Sequence, residues 1–240
     1  MRRTVGPLSL AWLVAAGAAG GCSFFDEVGG GNLSFDLPLV RDFKIDSTDS
    51  RWWPCPSLGV PDVVCSGPAA LVSDCCQPPA PMIAVNCQEY PLSCDQEDNH
   101  RCALVFDYDD AVEVDLGHDV PALKDRPGRV LAQATLATIH TTVTSGVGTL
   151  PLRAASLYAA PQSTASARAA GATFLADVPL GGGERQVDLG ARARIGLSPF
   201  LTDFNTPFVL ILSTHAVVKS GGAPNGVETI KVDGRVEVSF

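Results

Sequence analysis

Basic residues are in short supply in this chain. Lys and Arg number 17 against 26 Asp and Glu, which leaves a formal net charge of −9. No basic stripe interleaved with aromatics offsets that deficit, so the composition excludes a nucleic-acid-binding surface. Aromatics are few as well, at 7%. The terminal VEVSF would suit an outer-membrane barrel, but such a barrel also needs aromatic girdles and outward apolar bands that this chain does not supply. A long apolar run is missing too. The stretch from Val5 to Gly20 is broken by Gly6, Pro7, Gly17 and Gly20, which argues against a permanent spanning helix. Cysteine is absent from the last 138 residues. Also absent are the G-x-S-x-G elbow, H-E-x-x-H, the phosphate-binding G-x-x-x-x-G-K and the dinucleotide glycine fingerprint, and with them the commonest hydrolase, metalloprotease and nucleotide-binding signatures.

What remains is the composition of a folded β protein. Hydrophobic residues make up 46% and charged residues 18%, with 23 Gly and 18 Pro to reverse the chain. Thr and Val recur through the second half, which favours strands over long helices.

The N-terminus carries a signal of its own. Arg2 and Arg3 precede a short apolar core, the two leading parts of a secretory signal. The small residues Ala19-Gly20-Gly21 then lead directly into Cys22. This stretch resembles the lipobox of bacterial lipoproteins, in which the cysteine thiol receives a lipid and the chain is cut just before it. The resemblance covers the first 22 residues. It implies a signal peptide over 1–21, a lipidated tether over 22–32 (CSFFDEVGGGN) and a covalent lipid at Cys22. Because Ser23 follows the cysteine, it further implies the outer membrane, facing either the periplasm or the cell surface. The alternative is a cleaved secreted protein in which Cys22 joins a disulfide. Without Arg2 and Arg3 the mature chain would be more acidic still.

The remaining seven cysteines are Cys55, Cys65, Cys75, Cys76, Cys87, Cys94 and Cys102. Such density in an exported chain reads as a disulfide framework, and an odd number leaves one thiol without an internal partner. Neighbouring Cys75 and Cys76 are expected to go to different partners, because a bond between them needs a strained ring. Successive cysteines are separated by nine, nine, none, ten, six and seven residues, with no Cys-x-x-Cys, so the spacing argues against a structural zinc site.

Periodicity places the elements. "NLSFDLPLVRDFKID" alternates as a strand, with Pro38 marking an edge or a bulge. The pattern stops from about 51 to 102, where prolines and cysteines suggest an irregular insertion ordered by cross-links, with Trp52 and Trp53 packing it on the sheet. Strand patterning returns in "CALVFDY" and "AVEVDL", read as two strands with a turn at Asp109-Asp110, then in "GRVLAQATLATIHTTVTSG", "RAASLYAA", "GATFLADVPL" and "RQVDLG". "SPFLTDFN" is the best helical segment, with Ser198 as cap and Pro199 at the first helical position. "PFVLILSTHAVVK" and "VETIKVDGRVEVSF" are strands joined by the turn-rich "SGGAPNG", with Ile230, Val232, Val236 and Val238 on one face of the second. The expected fold is an all-β sandwich over 33–240 with a disulfide-rich insertion.

Two clusters invite a chemical reading. "DYDDAVEVDLGHD" gathers carboxylates, and Asp107, Asp109 and Asp110 could begin a calcium site. Glu113 and Asp115, however, alternate with Val112, Val114 and Leu116, as the wet face of a half-buried strand does. His100, His118, His140 and His215 are scattered, and nothing in the sequence selects a catalytic triad from them. The expectation is a non-enzymatic envelope lipoprotein that holds a protein or polysaccharide partner, with the lipid as its membrane contact and no other cofactor. The alternative is a carbohydrate-binding or hydrolytic module on the same scaffold.

Lipidation makes a direct prediction. Radiolabelled fatty acid fed to producing cells marks the wild-type protein and fails to mark Cys22→Ala; equal labelling of both overturns the anchor.

Overall fold

The computed structural model describes residues 34–49, 60–65, 75, 92–95, 99–119, 133–145, 150–203, 206–221 and 224–239. Among the described residues, nine strands form two antiparallel sheets. They are β1 (Ser34–Asp46), β2 (Leu92–Asp95), β3 (Arg101–Val114), β4 (Gln133–Ser145), β5 (Leu152–Pro161), β6 (Thr173–Val178), β7 (Gly183–Asp188), β8 (Phe208–Lys219) and β9 (Val227–Ser239). One sheet has the order β1-β9-β4-β7 and the other β2-β3-β8-β5-β6. One helix, α1 (Ala191–Thr202), and a single helical turn at Leu116–Asp119 complete the described elements.

Alternation decides which face each strand buries. In β9, Ile230, Val232 and Val236 point inward and are buried, as their shared parity requires. In β8 the inward set is Phe208, Leu210, Leu212 and Ala216. Together with Phe43, Ile45, Ile139 and Leu157 these residues fill the space between the sheets. Each large side chain taken fully out of water there contributes about 1.5–3 kcal/mol. The sandwich expected from periodicity is the fold observed. Pro38 lies in β1, an edge strand of its sheet.

Four local points stand out, three of them corrections to the sequence reading. First, Asp109-Asp110 is not a turn: β3 pairs with β8 without interruption from Ala103 to Val114. Two adjacent aspartates fit a strand here because alternation sends them to opposite faces. Second, β8 and β9 are the two strands expected on either side of the turn-rich link, and they do not pair with each other. β8 lies between β3 and β5, whereas β9 lies between β1 and β4, so the chain changes sheet at that link. Third, the helix starts at Ala191 and includes Pro199 in its last turn. Ala193, Leu197 and Leu201, spaced by four, make its buried stripe. Proline near the C-terminal end removes one hydrogen bond and so shortens the helix without breaking its middle. Gly196 lets α1 approach β6 closely, because a Cβ there would lie 2.3 Å from Thr173 Cγ2. Fourth, the insertion expected over about 51–102 is not irregular to its end: Leu92–Asp95 forms β2 against Arg101–Leu104.

Two disulfides lie at that end, Cys65–Cys94 and Cys75–Cys102. Cys75 therefore bonds elsewhere than to its neighbour Cys76. Cys94 and Cys102 face each other directly across β2 and β3, yet each bonds to a residue outside the pair. The Cβ separation of directly opposed strand residues exceeds what a disulfide prefers. The bridges pack with Leu92, Leu104 and Val218 into a satellite core. They enclose sequence separations of 29 and 27 residues, for which loop closure alone accounts for about 3.5 kcal/mol per bridge taken singly. Cys22, Cys55, Cys76 and Cys87, like Trp52 and Trp53, lie outside the described residues.

The pairing can be read from peptides. Digestion of unreduced protein at acidic residues, which include Asp62, Asp74, Glu89 and Asp95, is expected to release 63–74 joined to 90–95. Trypsin is expected to release the peptide beginning at Cys102 still bonded to the one holding Cys75. Recovery of either pair as unlinked peptides contradicts the arrangement.

Candidate functional site

The outward face of the five-stranded sheet carries the chemically richest cluster. Odd-numbered residues of β3 and β8 share that face, and register sets Asp107 opposite His215 and Asp109 opposite Ser213. Asp107 Oδ1 lies 2.9 Å from His215 Nδ1. The Arg168 guanidinium also forms an ion pair with Asp107. Arg168 comes from the β5–β6 connection, residues 162–172, which folds back over the sheet. Its backbone is tied down where the Ala167 N–H donates to Asp109 Oδ2 at 3.0 Å. Gln162 Nε2 donates to Glu113 Oε2 at 2.8 Å. Ala167 and Ala172 pack on Ala160, Val209 and Ile211 beneath. Tyr158 stands beside Phe174 in an edge-to-face contact at 5.6 Å. Burial, followed by the charges of Asp177, Asp109 and Asp107, raises its phenol above the ordinary tyrosine value, so the hydroxyl stays protonated.

An Asp–His pair can orient an imidazole for proton transfer. Hydrolysis would also need a nucleophile held by the other ring nitrogen. Ser213 and Ser156 oppose each other one row away, but Ser156 Oγ donates to Asp177 Oδ1 at 2.8 Å. Asp107 is at the same time neutralised by Arg168. The arrangement suits pinning a connection to a sheet better than activating a hydroxyl.

The calcium candidates do not converge on one point. Asp107 holds Arg168 and His215, Asp109 accepts from the Ala167 backbone, and alternation places Asp110 on the opposite face with Tyr108. Asp115, at the strand's end, accepts the His118 backbone N–H at 2.9 Å and closes the short helical turn. His118 is exposed there, and His100 occupies a left-handed position at φ 57° between β2 and β3.

The outward face of the four-stranded sheet is different in kind. It presents Thr138, His140, Thr142 and Thr144 of β4 beside Glu184 and Gln186 of β7 and Lys231 and Asp233 of β9. His140 Nδ1 lies 3.3 Å from Glu184 Oε1, and Thr138 Oγ1 donates to Asp188 Oδ1 at 3.3 Å. Beneath it, buried Thr141 turns inward and donates to the Arg185 carbonyl at 3.5 Å. The result is an open sheet surface of short polar side chains with charges of both signs interspersed.

Two carboxylates are displaced from their ordinary behaviour. Asp46 accepts the backbone N–H and the hydroxyl of Thr48 and pairs with Lys44, which lowers its value to about 2. Glu228 shares the inward parity of Ile230 and Val232 and is 9% exposed. Burial raises its value above the ordinary 4.5.

Sequence reasoning found Asp107, Asp109 and His215 as residues but not as neighbours. Arg168 gave no signal at all, since its partner lies 61 positions away.

No protein-family profile matches the chain, and no curated protein is similar to it. Among solved structures, turnip yellow mosaic virus aligns at a TM-score of 0.30 and 11% identity, covering 99% of this chain and 89% of that one. Desmodium yellow mottle tymovirus aligns at 0.26 and 11%, covering 100% and 96%. The decameric BFDV capsid protein aligns at 0.32 and 10%, covering 87% and 99%. At such TM-scores these likenesses carry no argument about this chain.

Glu228 gives a prediction whose sign follows from linkage. A carboxyl whose value is raised on folding favours the folded state while protonated, and that contribution is lost as pH rises through its folded value. Glu228→Gln is therefore expected to raise the thermal midpoint at pH 7 and to leave it unchanged below the ordinary glutamate range. Calorimetry at both pH values checks it, and an equal shift at both contradicts the burial origin.

Proposed function

We propose that the protein is a non-enzymatic lipoprotein of the bacterial outer membrane, tethered by a lipid on Cys22, whose sandwich domain holds an envelope protein or polysaccharide. The observation that carries the binding part is the outward face of the four-stranded sheet, a polar surface on which the described residues do not converge as a set of reacting groups. Lys231, Asp233, His140, Glu184 and Gln186 offer donors and acceptors in a fixed array, which suits recognition by register and hydrogen bonding. The membrane part is supported by the signal-like segment and by Cys22. The disulfides at Cys65–Cys94 and Cys75–Cys102 agree with an exported, oxidising setting.

A second reading, a hydrolytic or carbohydrate-binding module, draws on the 2.9 Å contact between Asp107 and His215. Among the described residues the neighbouring Ser156 donates to Asp177 instead of His215, so this reading ranks below the first.

Affinity capture of the anchored protein from envelope fractions separates the two. His140→Ala with Lys231→Glu is expected to lower partner recovery about tenfold, a change of ~1.4 kcal/mol, while His215→Ala retains it. Recovery that is unchanged in the first variant and lost in the second favours the module instead.

A further inference from the structure

The two disulfides touch. Cys65 Sγ lies 3.6 Å from Cys75 Sγ and 3.9 Å from Cys102 Sγ, and Cys75 Sγ lies 3.9 Å from Cys94 Sγ. Four sulfurs from two bridges thus occupy one knot. A zinc ion bound by four thiolates at about 2.3 Å sets its sulfurs about 3.8 Å apart. The three contacts measured between the bridges already have that length.

We propose that this knot is a redox-interchangeable metal site: two disulfides when oxidised, and one tetrahedral zinc thiolate centre on Cys65, Cys75, Cys94 and Cys102 when reduced. The backbone holds three of the four positions without help from the bridges. Cys94 and Cys102 are opposed in the β2–β3 ladder. The Cys65 N–H donates to the His100 carbonyl at 2.8 Å, and the Cys102 N–H donates to the Val63 carbonyl at 3.0 Å. Val64 and Arg101 bridge between them. Reduction therefore frees the thiols while the backbone positions of Cys65, Cys94 and Cys102 stay held.

Cys65, Cys75 and Cys102 are buried, whereas Cys94 is partly exposed and gives access to a reductant and to the metal. The chemistry balances. A dithiol reductant delivers two electrons and two protons to each bridge and is itself oxidised to a disulfide. Four thiols then bind Zn²⁺ and release four protons. The centre would carry a charge of 2−. Sequence spacing gave no hint of the site because its ligands are gathered by the β2–β3 ladder and the Val64 bridge, not by one tight turn.

The test uses the full chain with Cys22, Cys55, Cys76 and Cys87 replaced by Ser, reduced without oxygen and titrated with Co²⁺. The expected result is one Co²⁺ per chain with the intense visible absorption of a tetrahedral thiolate site, displaced by Zn²⁺. A further Cys102→Ser change is expected to weaken binding by roughly a hundredfold. Zinc is also expected to protect all four thiols from alkylation, a readout that does not depend on the cobalt spectrum. Absence of a tetrahedral spectrum and of protection overturns the proposal. So does undiminished binding after Cys102→Ser, or equally tight binding by the urea-unfolded chain.

Discussion

The four-stranded sheet depends on β9. It pairs with β1 along its full length and with β4 on its other edge, so without it β1 has no partner in that sheet. Its inward residues Ile230, Val232 and Val236 also supply one wall of the core. The strand thus joins hydrogen-bonding and hydrophobic requirements in a single segment. Because Ser34 pairs with Ser239, the sheet closes only after a very long loop has been brought together. Such pairings carry the full cost of loop closure before burial rewards them.

The same constraint explains what sequence could and could not reveal. Period-two alternation located nearly every strand, because alternation records which side is buried and needs no knowledge of the neighbour. Pairing is a different quantity. β8 and β9 are both plain in the sequence, but the turn-rich link between them does not say whether they pair. Yet β8 is buried on the core side and also carries apolar Val209, Ile211 and Val217 on the other side. A strand apolar on both faces fits the middle of a covered sheet, and that signal outweighed the turn chemistry. The helix was misplaced for a related reason. Cap and proline signals pointed to Ser198 and Pro199, whereas the four-residue spacing of Ala193, Leu197 and Leu201 decided the matter through packing.

The cysteines show how structure sharpens parity. Seven thiols downstream of Cys22 allow many connectivities. Fixing Cys65 with Cys94 and Cys75 with Cys102 leaves Cys55, Cys76 and Cys87. Three thiols cannot all pair among themselves, so the odd one is confined to that set unless Cys22 is its partner. Lipidation at Cys22 and an unpaired thiol near the insertion are therefore coupled statements about one molecule.

The two outward faces divide the remaining work unequally. On the five-stranded sheet, Asp107 and Asp109 are engaged by Arg168, His215 and the Ala167 backbone, all within the chain. Their charges hold a connection in place and cover apolar Val209 and Ile211. On the four-stranded sheet the charges lie on neighbouring strands, without such a cover among the described residues, and both signs are present. The face formed by Lys231, Asp233, His140 and Glu184 sets one ammonium and an imidazole beside two carboxylates. A partner there would be selected less by long-range attraction than by the match of donors and acceptors at contact, an interaction that salt weakens only modestly.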